Sequence, residues 1–307
     1  MKVALLVNPR AGLGGAVGLK GSEGPEVQTE AIARRGQARG ASRVAIFLQY
    51  LCAPGGDGAD FFLAPSAQPI TWVTWGAGMG ADSLRSLGFD HVRLGTPGAP
   101  TTAQDTIDAV HAFIDYNVDL IIFAGGDGTA RDVLSAVSGT VSCLGLPAGV
   151  KMHSGVFAIS PRAAARVVAD LANGRLIDRV AREVRDYVEP ERGSEVDVRA
   201  AVRTRGYGEL WVPEANDLLQ QTKVGGKETE ALAVNEISTY VSECWLEDRQ
   251  TALILGPGST CLAIKRELGI PGTLLGVDVR LPDHSLVIDA TAQQLLTVIQ
   301  QGPAQVI

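Results

Sequence analysis

An aspartate set among glycines at the end of an apolar run is the residue of this chain best placed to do chemistry. The run is Asp119-Leu120-Ile121-Ile122-Phe123-Ala124-Gly125-Gly126-Asp127-Gly128-Thr129-Ala130-Arg131-Asp132. It predicts a buried strand that passes through two glycines, an acid, a third glycine and a hydroxyl residue into a helix. Glycine permits φ > 0 and close approach of backbone to a ligand, and a helix start offers free N–H groups to phosphate oxygens. Gly125, Gly126, Gly128 and Thr129 are therefore the expected phosphate cradle. An acid beside bound phosphates must serve a metal or accept a proton, so Asp127 is a candidate general base or magnesium-side carboxylate. The competing reading is a tight strand-to-helix turn with a capping aspartate. A second Gly-Gly-Asp-Gly, at 55–58, has neither an abutting buried strand nor a following hydroxyl residue and reads as a surface loop.

The first apolar run ends in Asn8-Pro9-Arg10-Ala11-Gly12-Leu13-Gly14-Gly15. This places a second Gly-rich loop at the carboxyl end of a strand, the edge at which open α/β sheets bind ligands. Neither G-x-x-x-x-G-K-[ST] nor G-x-G-x-x-G followed by a ribose-binding acid is present, so the Walker and dinucleotide-fold fingerprints are absent. Lys20 reads as a solvated lysine. Lys151 and His153 follow another apolar run; they either present positive charge to phosphate or line a wall. The four cysteines, at 52, 143, 244 and 261, form no C-x-x-C pair and read as reduced thiols.

Short apolar runs over 3–7, 43–48, 70–75, 118–124 and 141–146, apolar on both faces, suit strands of a buried parallel sheet. A helix over 101–116, capped by Thr102 or Asp105, falls among them, and this βαβ alternation predicts a doubly wound, mostly parallel sheet. Beyond Pro161 a helix over 163–173 ends at Gly174. The segments 179–188, 197–204, 208–212 and 231–241 then alternate apolar with polar residues and read as strands. Runs at 252–255 and 273–279, a helix over 291–300 and a strand stub at 305–307 complete the chain. The expected organisation is an α/β phosphate-binding domain over 1–158 and a β-rich substrate domain over 159–307. The mixed-sign stretch 179–205 reads as a solvated face.

The chain is 307 residues long, enough for two cores, and carries a formal charge of −7, which argues against a non-specific nucleic-acid binder. The apolar N-terminal run is too short for a signal sequence and no run approaches the ~18 apolar residues of a membrane span. The expected address is the cytoplasm, without a membrane partner.

With these residues in view, the chain resembles the superfamily of NAD kinases, diacylglycerol and sphingosine kinases and 6-phosphofructokinases. Gly125-Gly126-Asp127-Gly128-Thr129 is similar to its signature and Asn8-Pro9-x-Ala11-Gly12-x-Gly14 to its first phosphate loop. Val234-Asn235-Glu236-Ile237 resembles the Asn-Glu motif with which NAD kinases hold the dinucleotide. Leu255-Gly256-Pro257-Gly258-Ser259-Thr260 resembles their Gly-rich Thr-Gly-Ser-Thr loop. The likeness is strongest to the bacterial and archaeal ATP-NAD kinase family, described as polyphosphate/ATP-dependent and including the X protein of acetoin-catabolism operons. It rests there on Gly18 to Gly24, Leu146 to Ala158 and Gly272 to Val279. Residues 151–154 depart from the Asn-bearing loop of well-characterised NAD kinases. Members of the group usually continue past the equivalent of Ile307, so the second domain is expected to be shortened at its C-terminus.

The resemblance implies phosphoryl transfer from ATP or polyphosphate, with Mg2+, to the 2′-hydroxyl of NAD. It gives Asp127 the proton of that hydroxyl. Gly125, Gly126, Gly128 and Thr129, helped by Asn8, Gly12, Gly14 and Gly15, would hold phosphates. Asn235 and Glu236, with Lys151 and His153, would hold the substrate, and Gly256, Gly258, Ser259 and Thr260 would close a cleft between domains. It also implies a homo-oligomer. A kinase of another small-molecule or lipid hydroxyl and a non-catalytic nucleotide-binding protein are the alternatives.

Overall fold

Strand β1 (Lys2–Val7) is apolar throughout after its first residue, and Val3 to Val7 are essentially excluded from solvent. Such a strand needs partners on both edges and cover on both faces. It pairs in parallel with β2 (Thr71–Thr74) on one side and with β4 (Leu120–Gly125) on the other. With β3 (His91–Arg93) and β5 (Ser142–Pro147) this makes a five-stranded sheet of order β3-β2-β1-β4-β5, every pair parallel. The order reverses direction between β1 and β4. That junction is the topological switch point, where doubly wound sheets open a crevice at the strands' carboxyl ends.

This computed structural model describes residues 1–13, 25–34, 36–52, 67–139, 141–148, 152–175, 178–187, 204–215, 218–220, 230–247 and 250–307. Gly14, Gly15, Lys151, the 55–58 loop and most of the expected strand at 197–204 lie outside the described residues.

Helices α1 (Pro25–Ala33), α2 (Gly40–Cys52), α3 (Ala81–Ser86), α4 (Ala103–Asp115), α5 (Asp127–Ala136) and α6 (Pro161–Ala172) accompany the sheet. α4 starts with Thr102 as N-cap and Asp105 at the third position, together a capping box, and α6 on Ser160, whose hydroxyl accepts from Ala163 N. The run at 43–48, expected as a strand, lies inside α2. Val44, Phe47, Leu48 and Leu51 are its buried residues, spaced i, i+3, i+4 and i+7, a helical stripe that a six-residue window hides. Phe47, Phe113, Phe123 and Phe157 fill one contiguous core around the sheet.

The described residues form two compact units, one up to residue 220 and one from 230 onward. The break in sequence texture near 158–159 falls elsewhere, because α6 and the antiparallel hairpin β6 (Arg179–Tyr187) and β7 (Thr204–Pro213) join the first unit. Val184, Leu210 and Val212 of that hairpin enter the core of the parallel sheet. Its register shifts between Val184 and Arg185, a β-bulge that re-aims the strand locally. The stretch 179–187 is accordingly no solvated face: Val184 and Asp186 are buried.

The second unit contains α7 (Glu230–Glu247), β8 (Ala252–Leu255), α8 (Ser259–Glu267), β9 (Asp278–Arg280), β10 (Leu286–Val287), α9 (Ala292–Gln301) and β11 (Ala304–Val306), with sheet order β10-β9-β8-β11. β8 alternates strictly: Leu253 and Leu255 enter one small core with Trp245 and Ile264, and Ala252 and Ile254 enter another with Val279 and Val298. Residues 231–241, expected as a strand, are helical. Ser238, Ser242 and Trp245 are buried at helical spacing, and Ser238 Oγ donates to the Val234 carbonyl four residues back, so the inward face carries hydroxyls that an apolar pattern does not register. The strand expected over 273–279 shrinks to β9. Residues 273–276 instead turn around the Lys265 ammonium, which donates to the Thr273 and Gly276 carbonyls.

Candidate functional site

Asp127 is the first residue of α5, immediately after Gly126 in extended conformation at φ −117°. β4 therefore runs into the helix without a left-handed residue: Gly125, Gly126 and Gly128 are not among the positive-φ glycines, and the expectation of φ > 0 there is corrected. Gly125 is required for a different reason. A Cβ on it would lie 2.4 Å from Thr129 Oγ1, so only glycine lets the first turn of α5 fold back on the strand. Thr129 Oγ1 in turn accepts from Asn8 Nδ2 at 2.9 Å, a hydrogen bond across the switch point between the ends of β1 and β4. Asn8 Oδ1 accepts from Arg10 N at 3.0 Å, which fixes the amide's orientation. Gly12 has φ +79°, and a Cβ there would meet the Ala148 carbonyl oxygen at 2.5 Å, so the loop after β1 rests on the end of β5.

The Asp127 carboxylate is not perched on an open rim. Its residue is only 6% exposed, turned beneath the loop that follows β5. Oδ2 accepts from His153 N at 2.7 Å, and Oδ1 accepts from Ser154 N at 3.1 Å and Ser154 Oγ at 2.6 Å. Burial raises its pKa from an ordinary 3.8 to about 6. The Ser154 hydroxyl and the two N–H groups oppose that rise, and Asp186 adds to it by repulsion. Asp186, on β6, is paired with Arg131 Nη1 of α5 at 2.8 Å.

His153 thus serves the site through its backbone N–H, while its imidazole is buried. Ser154, Asp186 and Arg131 were not singled out by sequence. The signal for Ser154 is its place in a loop at the carboxyl edge of the sheet; Asp186 stands in the mixed-charge stretch 179–205, which reads as a solvated face, although the period-two alternation sets it on the same face as Val184. In the second unit, Gly256 and Gly258 precede α8, whose first residues are Ser259 and Thr260, and Gly258 is its N-cap at φ +121°. These residues form a strand–glycine–helix turn between β8 and α8. Asn235 and Glu236 lie on α7, a helix and not the expected strand. Among the described residues no group of three or more His, Cys, Asp or Glu side chains could hold a metal ion. Cys143 is buried and its thiol is pushed up to about 12 by burial, as suits an inert reduced cysteine.

A five-stranded parallel sheet with helices packed around it and a helix N-terminus bearing an acid at its switch point defines a doubly wound α/β protein. The sequence specifies which. The family described as the ATP-NAD kinase N-terminal domain matches residues 5–176, more than half of the chain, and the chain belongs to the ATP-NAD kinase family. Neither a curated protein nor a solved structure matches it. The family match covers both Gly-rich segments and Asp127, and it supports a kinase-type phosphotransferase.

Proposed function

We propose that the protein transfers a phosphoryl group from ATP or polyphosphate to the 2′-hydroxyl of NAD, with Asp127 as general base. The observation that carries this reading is Asp127 at the head of α5, on the switch point and inside the matched family domain. An ordinary aspartate is a weak base; burial brings this one to about 6, nearer to the pH at which it would have to accept a proton. The acceptor O–H bond breaks, its proton goes to Asp127, and the alcohol oxygen bonds to the terminal phosphorus. The P–O bond to the leaving ADP or shortened polyphosphate breaks, and that oxygen keeps the electron pair. The transition state needs mainly alignment and charge stabilisation. The N–H groups at the start of α5, through Gly126 and Gly128, and the Asn8–Thr129 pair are assigned to the phosphates. Magnesium arrives on the donor, since it commonly binds through substrate phosphates and retained waters.

By the same likeness, Asn235 and Glu236 are assigned to the dinucleotide, Lys151 and His153 to the substrate, and Gly12, Gly14, Gly15, Gly256, Gly258, Ser259 and Thr260 to nucleotide phosphates. The cytoplasm and self-association into a homo-oligomer are proposed on the same ground. Among the described residues no helix is long and apolar enough to cross a membrane.

One observation favours a second reading, nucleotide binding without transfer: a carboxylate this buried, with three donors on it, also serves as an anchor for the 152–154 loop. Incubation of the pure protein with NAD, magnesium and either ATP or polyphosphate separates the two. The kinase reading expects NADP, lost in Asp127→Asn. Binding of nucleotide with no NADP from either donor supports the second reading.

A further inference from the structure

Three of the roughly four acceptor positions of the Asp127 carboxylate are occupied by protein donors, and they are unequally shared. Oδ1 takes two from Ser154, and Oδ2 takes one from His153 and retains one lone pair. Ser154 is fully buried and its hydroxyl is a junction. It accepts from Arg185 N at 2.9 Å, and its single hydrogen has two acceptors in reach, Asp127 Oδ1 at 2.6 Å and the Arg185 carbonyl at 2.9 Å. Arg185 lies at the β6 bulge, so the bulge is what brings a strand N–H and carbonyl to this serine.

We propose that Ser154 is a positioning residue for the transfer reaction: its hydroxyl ties Asp127 Oδ1 to the β6 bulge and leaves Oδ2 as the oxygen that takes the substrate's proton. This rests on the reading of Asp127 as base. While Asp127 is ionised, the hydroxyl points to Oδ1, the stronger acceptor. Once the proton is on Oδ2, Oδ1 becomes carbonyl-like and accepts more weakly. The serine hydrogen then turns to the Arg185 carbonyl, and Oδ1 keeps the Ser154 N–H as its donor. A hydroxyl that donates to the charged form lowers proton affinity, so Ser154 counteracts the desolvation of the carboxylate.

Among the described side chains, the ionisable groups on α5 and on the elements packed against it are Arg131 and Asp132 on α5, Arg179, Arg182, Glu183, Arg185 and Asp186 on β6, and Arg205, Tyr207 and Glu209 on β7, with His153 in the loop that covers the carboxylate. α4 adds Asp105, whose carboxylate closes its own helix cap, and the exposed Asp108, His111 and Asp115. Of these, Asp186 acts on Asp127 by repulsion and is itself paired with Arg131.

The test compares kcat and KM against pH for wild type, Ser154→Ala, Ser154→Thr and Asp127→Asn, with Asp127 carboxyl titration followed by 13C NMR in the folded proteins. Ser154→Ala is expected to move the acid limb of kcat and the NMR titration upward by ~1 to 2 pH units, the tenfold to hundredfold change in proton affinity expected from losing one hydrogen bond to a carboxylate. KM should stay within about twofold, kcat should recover toward wild type on the alkaline side, and Ser154→Thr should restore the wild-type limb. If Ser154→Ala does not fold, Ser154→Cys, a weaker donor of similar shape, should show a smaller shift in the same direction. A pH-independent loss, or a titration unmoved in Ser154→Ala, overturns the role of Ser154 while leaving Asp127 as base. A fully active Asp127→Asn removes the underlying reading instead.

Discussion

The β4–α5 and β8–α8 turns are built alike and end in opposite electrostatic conditions. Each takes a buried apolar strand through glycine into a helix with hydroxyl residues in its first turns. At β4–α5 the buried charge is an anion, Asp127, with three donors on a group that can accept about four. In the second unit the buried charge is a cation, Lys265 of α8, at 0% exposure. Its ammonium donates to two carbonyls and forms an ion pair with Asp278 Oδ2 at 2.8 Å. Asp278 Oδ1 meanwhile accepts from Asp289 N at 2.9 Å. The cation is closed and structural; the anion keeps one open valence. What separates the two elements is therefore the count of partners around their buried charges, which the strand–glycine–helix pattern does not contain.

The largest expected effect attacks the closed site. Lys265→Met leaves Asp278, also at 0% exposure, without its counter-charge, and the second unit should lose ~3 to 5 kcal/mol in urea unfolding. Replacing both residues by apolar ones of similar volume should recover most of that loss. If Lys265→Met alone were neutral, the pair would not be closed and the contrast would fail.

The next effect sharpens the open site by pH. The folded-state pKa of Asp127 is raised, so the folded protein binds this proton more tightly than the unfolded chain does. The stabilisation is full below pH ~4 and is lost as the pH rises through about 6, amounting to roughly 3 kcal/mol across the interval. Measured from pH 4 to 7, wild-type stability should fall by that much relative to Asp127→Asn, which does not titrate. Parallel curves would show that the carboxylate is not held as described.

The smallest effect concerns the loop that supports the open site. Gly12→Ala would place a Cβ 2.5 Å from the Ala148 carbonyl oxygen at φ +79°, and should cost ~2 kcal/mol or more in the first unit. Gly302→Ala, at φ 173° with open space around it, should stay within ~0.5 kcal/mol of wild type. Equal effects at the two positions would mean that the loop after β1 does not press on β5.

The sheet was legible in the sequence because each central strand is apolar on both faces, and a strand such as Leu120 to Ala124 has few other ways to be buried. Thr102 and Gly174 announced helix ends by residue type alone. Two helices escaped notice for opposite reasons: α2 shows six apolar-rich residues whose helical spacing emerges only over thirteen, and α7 buries Ser238 and Ser242 where an apolar pattern looks for leucine. At the site, Asp127 and the glycines were visible as a local string. The donors on its carboxylate come from His153 and Ser154, 26 and 27 residues away, and the Ser154 hydroxyl in turn accepts from Arg185 N at a bulge, 31 further on. Such contacts depend on strand order and register and leave no trace in local spacing.

The most direct test of the central claim is NADP formation at saturating NAD, magnesium and donor by wild type and by a folded Asp127→Asn, across pH 5 to 9. An acid limb near pH 6 in the wild type and a loss of ~100-fold or more in Asp127→Asn, with the limb abolished, is the predicted result. An Asp127→Asn protein that keeps most of the wild-type rate would contradict it.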